Sequence, residues 1–140
     1  MGFADLLLLL GQPYDSPEAV ATADELMTFI ATEADGESRR LGEARGVFPN
    51  YGGSIFFSRG IQRRNATVTT IAPTGTISLI AGCSGGIEPL FAICYVRNVL
   101  GEAREFHLHP LFEQMAAPYL TESVRRTITR TGSVQNVKEI

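Results

Sequence analysis

The sequence predicts an α+β chain in which helices flank a few short strands, and three observations carry that prediction. Apolar residues recur at helical spacing through Ala23, Leu26, Met27, Ile30 and Ala34, which gives one apolar helix face. A β-branched run, Val68, Thr69, Thr70 and Ile71, suits a pleated and mostly buried strand. Two further strand-like runs, Phe91 to Val99 and Arg104 to Leu108, lie on either side of Gly101 and read as a hairpin.

In chain order, residues 3 to 10 form a first helix. Its apolar run Leu6 to Leu10 is bounded by Asp5 and Gly11, far short of the roughly 20 residues a membrane span needs, so it is expected to be a buried helix face. The stretch from Gly11 to Ser16 is a turn. Ser16 is a good N-cap, Pro17 fits the first helical position, and Glu18 favours the positive end of the helix dipole. Gly36 and Gly42 each cost about 1 kcal/mol relative to alanine inside a helix, which predicts a kink or fraying before Gly46. Pro49 and Gly52-Gly53 mark a loop reaching residue 65. Within it, Arg59, Arg63 and Arg64 read as a solvated basic stretch, with steering of an anionic ligand as the other reading.

The stretch after Val68–Ile71 bears most directly on function. Pro73 ends the strand, because proline has no amide hydrogen for a ladder and holds Ala72 extended. Thr74, Gly75 and Thr76 bring hydroxyls and unhindered N–H groups, and Ile77, Leu79 and Ile80 supply the apolar positions of a short helix ending at Gly82. Free amides at a helix start favour an anion by roughly 0.3–1 kcal/mol when exposed and up to about 2 when partly buried. A strand-turn-helix phosphate site at 67–82 is the functional reading; the plainer alternative is a corner in which a threonine caps the helix. Beyond it, Gly85-Gly86 permits a sharp turn into Ile87-Glu88-Pro89. Pro110 opens a helix to about Ala117, and Leu120 to Thr131 reads as another with Gly132 as its stop.

Several of these motifs belong together. Arg64-Asn65-Ala66-Thr67, the run Thr-Ile-Ala-Pro-Thr-Gly-Thr-Ile-Ser from Thr70 to Ser78, the run Ala-Gly-Cys-Ser-Gly-Gly-Ile-Glu-Pro from Ala81 to Pro89, and Leu90-Phe91-Ala92 with Tyr95 and Arg97 closely resemble the large catalytic chain of ribonucleotide reductases. The wording is most like the adenosylcobalamin-dependent class. Gly2 to Leu7 with Gly11, Pro13, Tyr14, Asp15 and Ser16, then Arg45-Gly46, Phe48-Pro49 and Gly132 to Gln135, extend the resemblance over nearly the whole chain.

That resemblance implies a single partial domain over 1–140, from the C-terminal part of a ten-stranded α/β barrel, in an enzyme that converts ribonucleotides to deoxyribonucleotides by radical chemistry. It implies that Pro73, Thr74, Gly75, Thr76 and Ile77 bind the substrate phosphates and that Glu88 lies beside the active-site region. The family's radical-forming cysteine loop, reducing cysteine pair and cobalamin site have no counterpart that can be assigned here. The chain alone is therefore expected to be inactive, with adenosylcobalamin bound by the parent enzyme and not by this segment. Expected partners are a ribonucleotide, the remainder of the reductase and, through unpaired strand edges, further copies of the chain. Gly85 stands where relatives commonly show serine, which removes one hydroxyl from the substrate region. Whether diphosphates or triphosphates are preferred is not legible. A stand-alone nucleotide-binding module and a helical interaction domain without catalysis are the alternatives.

Composition narrows the remaining classes. The 140 residues carry 12 Lys and Arg against 15 Asp and Glu, a formal charge of −3, with 44% hydrophobic content, enough for a core. The acidic balance argues against nucleic acid as a partner. The start of the sequence lacks a basic region and small-residue cleavage site, so the cytoplasm is the expected compartment and no membrane is expected. Cys83 and Cys94 lack ligand or redox spacing and read as small core residues. His107 and His109 would share a strand face without further ligands, so no metal is expected, and His109 more simply precedes Pro110 at a helix start.

Overall fold

The computed structural model describes residues 1–99, 103–135, 137 and 138, with side chains described outside 95–106. Where one partial domain is expected, contacts group the chain as two compact units, Asp15–Ala72 and a second made of Met1–Tyr14 with Pro73–Ile140.

The Asp15–Ala72 unit is built on α2, Pro17–Arg45. Ser16 starts it as expected: its side chain accepts the Ala19 N–H at 3.1 Å. The helix runs through Gly36 and Gly42 without interruption to Arg45, so the fraying expected before Gly46 is not found. The reason lies at Gly42, where a Cβ would sit 2.8 Å from the Cα of Arg63; the missing side chain lets the returning chain lie against the helix. That return is stitched by Ser38, 2% exposed. Its carbonyl accepts the Arg64 N–H at 2.7 Å and its hydroxyl accepts the Asn65 N–H at 3.0 Å. Leu26, Ala23 and Ala34 are half-buried, whereas Met27 and Ile30 are exposed, so the apolar face is only partly covered within this unit.

Within the basic stretch Arg59 and Arg64 are exposed, as a solvated stretch would have them, and Arg63 departs from both readings. Arg63 is 6% exposed, pairs with Asp35 at 3.1 Å and lies 4.4 Å from the Phe56 ring centre, an ion pair combined with a cation–π contact. Arg64 reaches the carbonyls of Arg45, Gly46 and Val47 at 3.4–3.5 Å, where the negative end of the α2 dipole welcomes a cation. Arg63 and Arg64 are structural. The loop between holds a 3-10 turn, Tyr51–Gly53, and a short α3, Ile55–Ser58. Edge-on aromatic pairs join Phe48 to Tyr51 and Phe56, and Tyr51 to Phe57, at 5.6–6.3 Å.

Val68–Ile71 is outside any strand: residues 67–74 carry no regular structure and Ile71 is 72% exposed. The β-branched residues suit a pleat, but among the described residues no neighbouring strand supplies the ladder. Propensity without a partner leaves the segment unpaired.

The second unit contains α1, Phe3–Leu10, and α4, Gly75–Ala81. The hairpin β1, Cys94–Val99, and β2, Ala103–Leu108, follows, then α5, Pro110–Ala116, and α6, Glu122–Thr131. β1 and β2 pair antiparallel with Cys94 opposite Leu108 and Val99 opposite Ala103, the one sheet among the described residues; the turn expected at Gly101 lies outside them. β1 begins three residues later than expected. Cys94, Phe112, Ala116, Val124 and Ile128 form the core, with Ile93, Leu108 and Leu120 packed against it. Cys94 is thus a small core residue, whereas Cys83 is only half-buried. Thr121 caps α6 by accepting the Val124 N–H, and Gly132 ends it at φ 69°. In α1 only Ala4, Asp5 and Leu7 are buried while Leu9 and Leu10 are 63% and 52% exposed, so the leucine run is not a buried face throughout. No helix among the described residues is long and apolar enough to cross a membrane.

Candidate functional site

The turn expected to hold phosphate begins with an unusual backbone. Thr74 has φ 50° and ψ 35°, the one non-glycine at positive φ among the described residues. A β-branched residue rarely adopts this conformation, which costs about 1–3 kcal/mol and persists only where the surroundings enforce it. Here the enforcement is visible. The Thr74 hydroxyl accepts the Gly86 N–H at 2.6 Å, and the Thr74 carbonyl accepts the Ser78 N–H at 2.9 Å. Because the hydroxyl is turned toward Gly86, it does not cap α4, contrary to the plainer reading of a capping threonine.

The start of α4 is consequently open. No hydrogen bond takes up the amides of Gly75, Thr76 or Ile77 among the described residues, and all three residues are exposed. Ser78 closes the inner side: it is 5% exposed and its hydroxyl donates to the Gly75 carbonyl at 2.9 Å. Three unpaired donors on one turn, with the positive end of a short helix behind them, can receive an anionic oxygen. The Thr74 hydroxyl, its oxygen already accepting from Gly86, still has its own proton to give.

The glycine pair sits against this turn. A Cβ on Gly85 would lie 3.2 Å from the Pro73 carbonyl oxygen, so the glycine found here permits an approach that a serine would have to loosen. Gly86 supplies the bond to Thr74, and the Tyr14 hydroxyl donates to the Ile87 carbonyl at 2.8 Å. Glu88 follows, half-buried; its Oε2 is buried with no hydrogen-bond partner among the described residues. Pro73 to Ile77 and the segment leading to Glu88 are therefore brought together by the Thr74–Gly86 bond.

Three residues that local spacing could not single out support this arrangement. Asp5 in α1 is 7% exposed; its carboxylate accepts the Ser84 N–H at 2.8 Å and its own N–H donates to the Ser84 hydroxyl at 3.3 Å. The other carboxylate oxygen faces His109 Nε2 at 3.1 Å. His109 does precede the α5 helix start, and its N–H donates to the Ile93 carbonyl at 2.8 Å. Among the described residues, no group of three or more His, Cys, Asp or Glu side chains is gathered so as to hold a metal ion. Burial pushes the Cys94 thiol up, toward its neutral form.

Comparison with known proteins gives a consistent set of relatives. The family model for the ribonucleotide reductase barrel domain matches residues 1–63 and 58–140. A vitamin B12-dependent ribonucleoside-diphosphate reductase of Thermoplasma acidophilum is 47% identical over 140 residues, covering 99% of this chain and 18% of its own length. A protein of the same name from Mycobacterium tuberculosis is 52% identical over 116 residues, covering 83% of this chain and 16% of its own length. The ribonucleoside-diphosphate reductase large subunit of Arabidopsis thaliana is 29% identical over 167 residues, covering 99% of this chain. The chain spans less than a fifth of the length of the two B12-dependent relatives.

Proposed function

Since the chain belongs to the ribonucleotide reductase barrel-domain family, we propose that it is the segment of such an enzyme that holds the phosphates of a ribonucleotide, in a cradle made by Pro73, Thr74, Gly75, Thr76 and Ile77. The observation that carries this reading is the set of three exposed, unpaired amides at Gly75, Thr76 and Ile77. Phosphate oxygens are acceptors only, and a cluster of fixed N–H donors meets them without reorganisation. Pro73 keeps the approach to the cradle extended, and the Thr76 hydroxyl adds a donor at its exposed rim. Glu88, with a buried and unpartnered carboxylate oxygen, stands beside the reacting sugar in this reading.

Binding is the whole of this segment's contribution. The parent enzyme converts ribonucleotides to deoxyribonucleotides, and the chain alone is inactive. In the parent, adenosylcobalamin supplies the radical that starts ribose reduction. The donor set here does not suit that chemistry: Cys94 is buried in the apolar cluster, and no metal-holding group is gathered among the described residues. We assign the cofactor and the reacting thiols to the rest of the polypeptide. The hairpin's outer edges have no strand partner among the described residues, so association with the rest of the enzyme, or with another copy, completes the sheet.

Titration calorimetry with ADP tests the cradle. Binding to the chain is expected, and Gly75→Val, which puts a branched side chain among the three amides, should abolish it. Thr76→Ala should weaken it by about 0.5–1.5 kcal/mol, the worth of one hydrogen bond. No heat at millimolar ADP, or equal binding by Gly75→Val, refutes the reading. Deoxyribonucleotide formation by the chain alone would contradict the assignment of the radical machinery elsewhere.

A further inference from the structure

We infer that Asp5 is a positioning residue for the 73–77 turn, acting through Ser84 and Gly86. Its functional meaning rests on the phosphate reading above; its structural content does not. Ser84 is 6% exposed and every polar group it has is committed to the start of α1. Its N–H donates to the Asp5 carboxylate at 2.8 Å, its hydroxyl accepts the Asp5 N–H at 3.3 Å, and its carbonyl accepts the Gly2 N–H at 2.8 Å. Two residues on, Gly86 donates to the Thr74 hydroxyl at 2.6 Å.

Gly85 lies between these two anchors and Gly86 is itself one of them, both of the residue type with the most backbone freedom to lose. A Gly-Gly link transmits a fixed position only if it is held at both ends. Thr74 holds one end and Asp5 the other. The strain at Thr74, φ 50°, makes this hold consequential, because the bond from Gly86 is what turns the hydroxyl away from capping α4 and leaves the amides of Gly75, Thr76 and Ile77 unpaired. His109 lies behind this line: its Nε2 is 3.1 Å from Asp5 Oδ1, both side chains being at most 14% exposed, although that oxygen has no hydrogen-bond partner among the described residues.

A mere structural staple would loosen everything around it equally; a positioning residue loosens one path. Amide hydrogen exchange on the 140-residue chain separates the two. The Cys83 N–H, bonded to the Ser78 carbonyl at 3.0 Å, is the internal reference, since it reports on the end of α4 and not on Asp5. In Asp5→Ala, Ser84 and Gly86 should exchange at least about tenfold faster, equivalent to 1.4 kcal/mol, with Cys83 unchanged. Asp5→Asn keeps a side-chain carbonyl able to accept the Ser84 N–H and should restore most of the protection. ADP affinity should follow the same order. Unchanged Ser84 and Gly86 exchange, or equal acceleration at all three amides, overturns the inference. If Asp5→Ala does not fold, Ser84→Ala, which removes the hydroxyl that takes the Asp5 amide, is read by the same two outcomes. Absence of ADP binding by the unaltered chain refutes the phosphate reading alone, while the exchange pattern still decides the role of Asp5.

Discussion

Gly36 and Gly42 lie on the same helix six residues apart, and alanine should have opposite effects at the two. At Gly36 an added Cβ meets nothing within 4 Å, so the substitution collects the helix-propensity difference and should stabilise by about 0.5–1 kcal/mol. At Gly42 the same methyl would stand 2.8 Å from the Arg63 Cα, 2.9 Å from its carbonyl carbon and 3.0 Å from its nitrogen. All three are backbone atoms, which cannot swing aside as the end of a flexible side chain can. To reach ordinary contact at 3.4 Å the 63–65 segment has to lift by more than half an ångström. That movement stretches the 2.7 Å bond from Arg64 N–H to the Ser38 carbonyl and the 3.0 Å bond from Asn65 N–H to the Ser38 hydroxyl. Overpacking costs about 1–3 kcal/mol and each hydrogen bond about 1 kcal/mol, against a propensity gain of about 1 kcal/mol. Gly42→Ala should therefore destabilise by about 2–4 kcal/mol. Urea unfolding followed by circular dichroism at the helix band reads both variants, since α2 is the longest helix among the described residues. A midpoint raised in Gly42→Ala as it is in Gly36→Ala would refute the close-approach argument.

Three further outcomes are expected. Arg63→Met keeps much of the side chain's length but removes its charge from Asp35 and from the Phe56 ring; because Asp35 also pairs with Arg39 at 2.6 Å and keeps 29% exposure, the cost should fall below the 3–5 kcal/mol of a fully buried broken pair, at about 2 kcal/mol by the same urea assay. Cys83 should react with a thiol reagent well before Cys94, whose thiol is pushed up by burial. The same shift gives a pH dependence. Where the unfolded thiol ionises and the folded one does not, the folded state holds the extra proton, so Cys94 contributes stability that is present below the unfolded thiol's ordinary value and is lost as pH rises from there through the raised one; Cys94→Ala should flatten that alkaline decline in a melting series.

What could be read from residues alone was mostly local. Ser16 caps α2 and Gly132 stops α6, because a cap depends on the three or four residues beside it. The start of α4 after Pro73 and its stop at Gly82 were legible for the same reason. Thr74 was not legible in detail, since nothing in Pro-Thr-Gly-Thr announces that a β-branched residue will take positive φ; that is imposed by Gly86, twelve positions on. Gly42 looked like a helix breaker because propensity sees only the helix, not the backbone that returns to lie on it. Val68–Ile71 failed differently: its strand preference is real, but a strand is a relation between two segments and the second is missing from the described residues. Asp5, Ser84 and His109 are joined only in three dimensions, so no spacing rule could have paired them.

The bond between Asp5 and Ser84 spans 79 positions, and this has a consequence for how the chain is made. At roughly 5–20 residues per second of synthesis, a ribosome needs about 4 to 16 s to deliver Ser84 after Asp5, and longer to deliver His109. Throughout that interval the leucine-rich first helix has neither its carboxylate's partners nor the surface that covers Leu7. Contacts of such separation are slow to form even in a finished chain. The leucine-rich α1 is thus a stretch for which a holdase chaperone would compete, and release from it would be timed by the emergence of the Cys83–Gly86 corner.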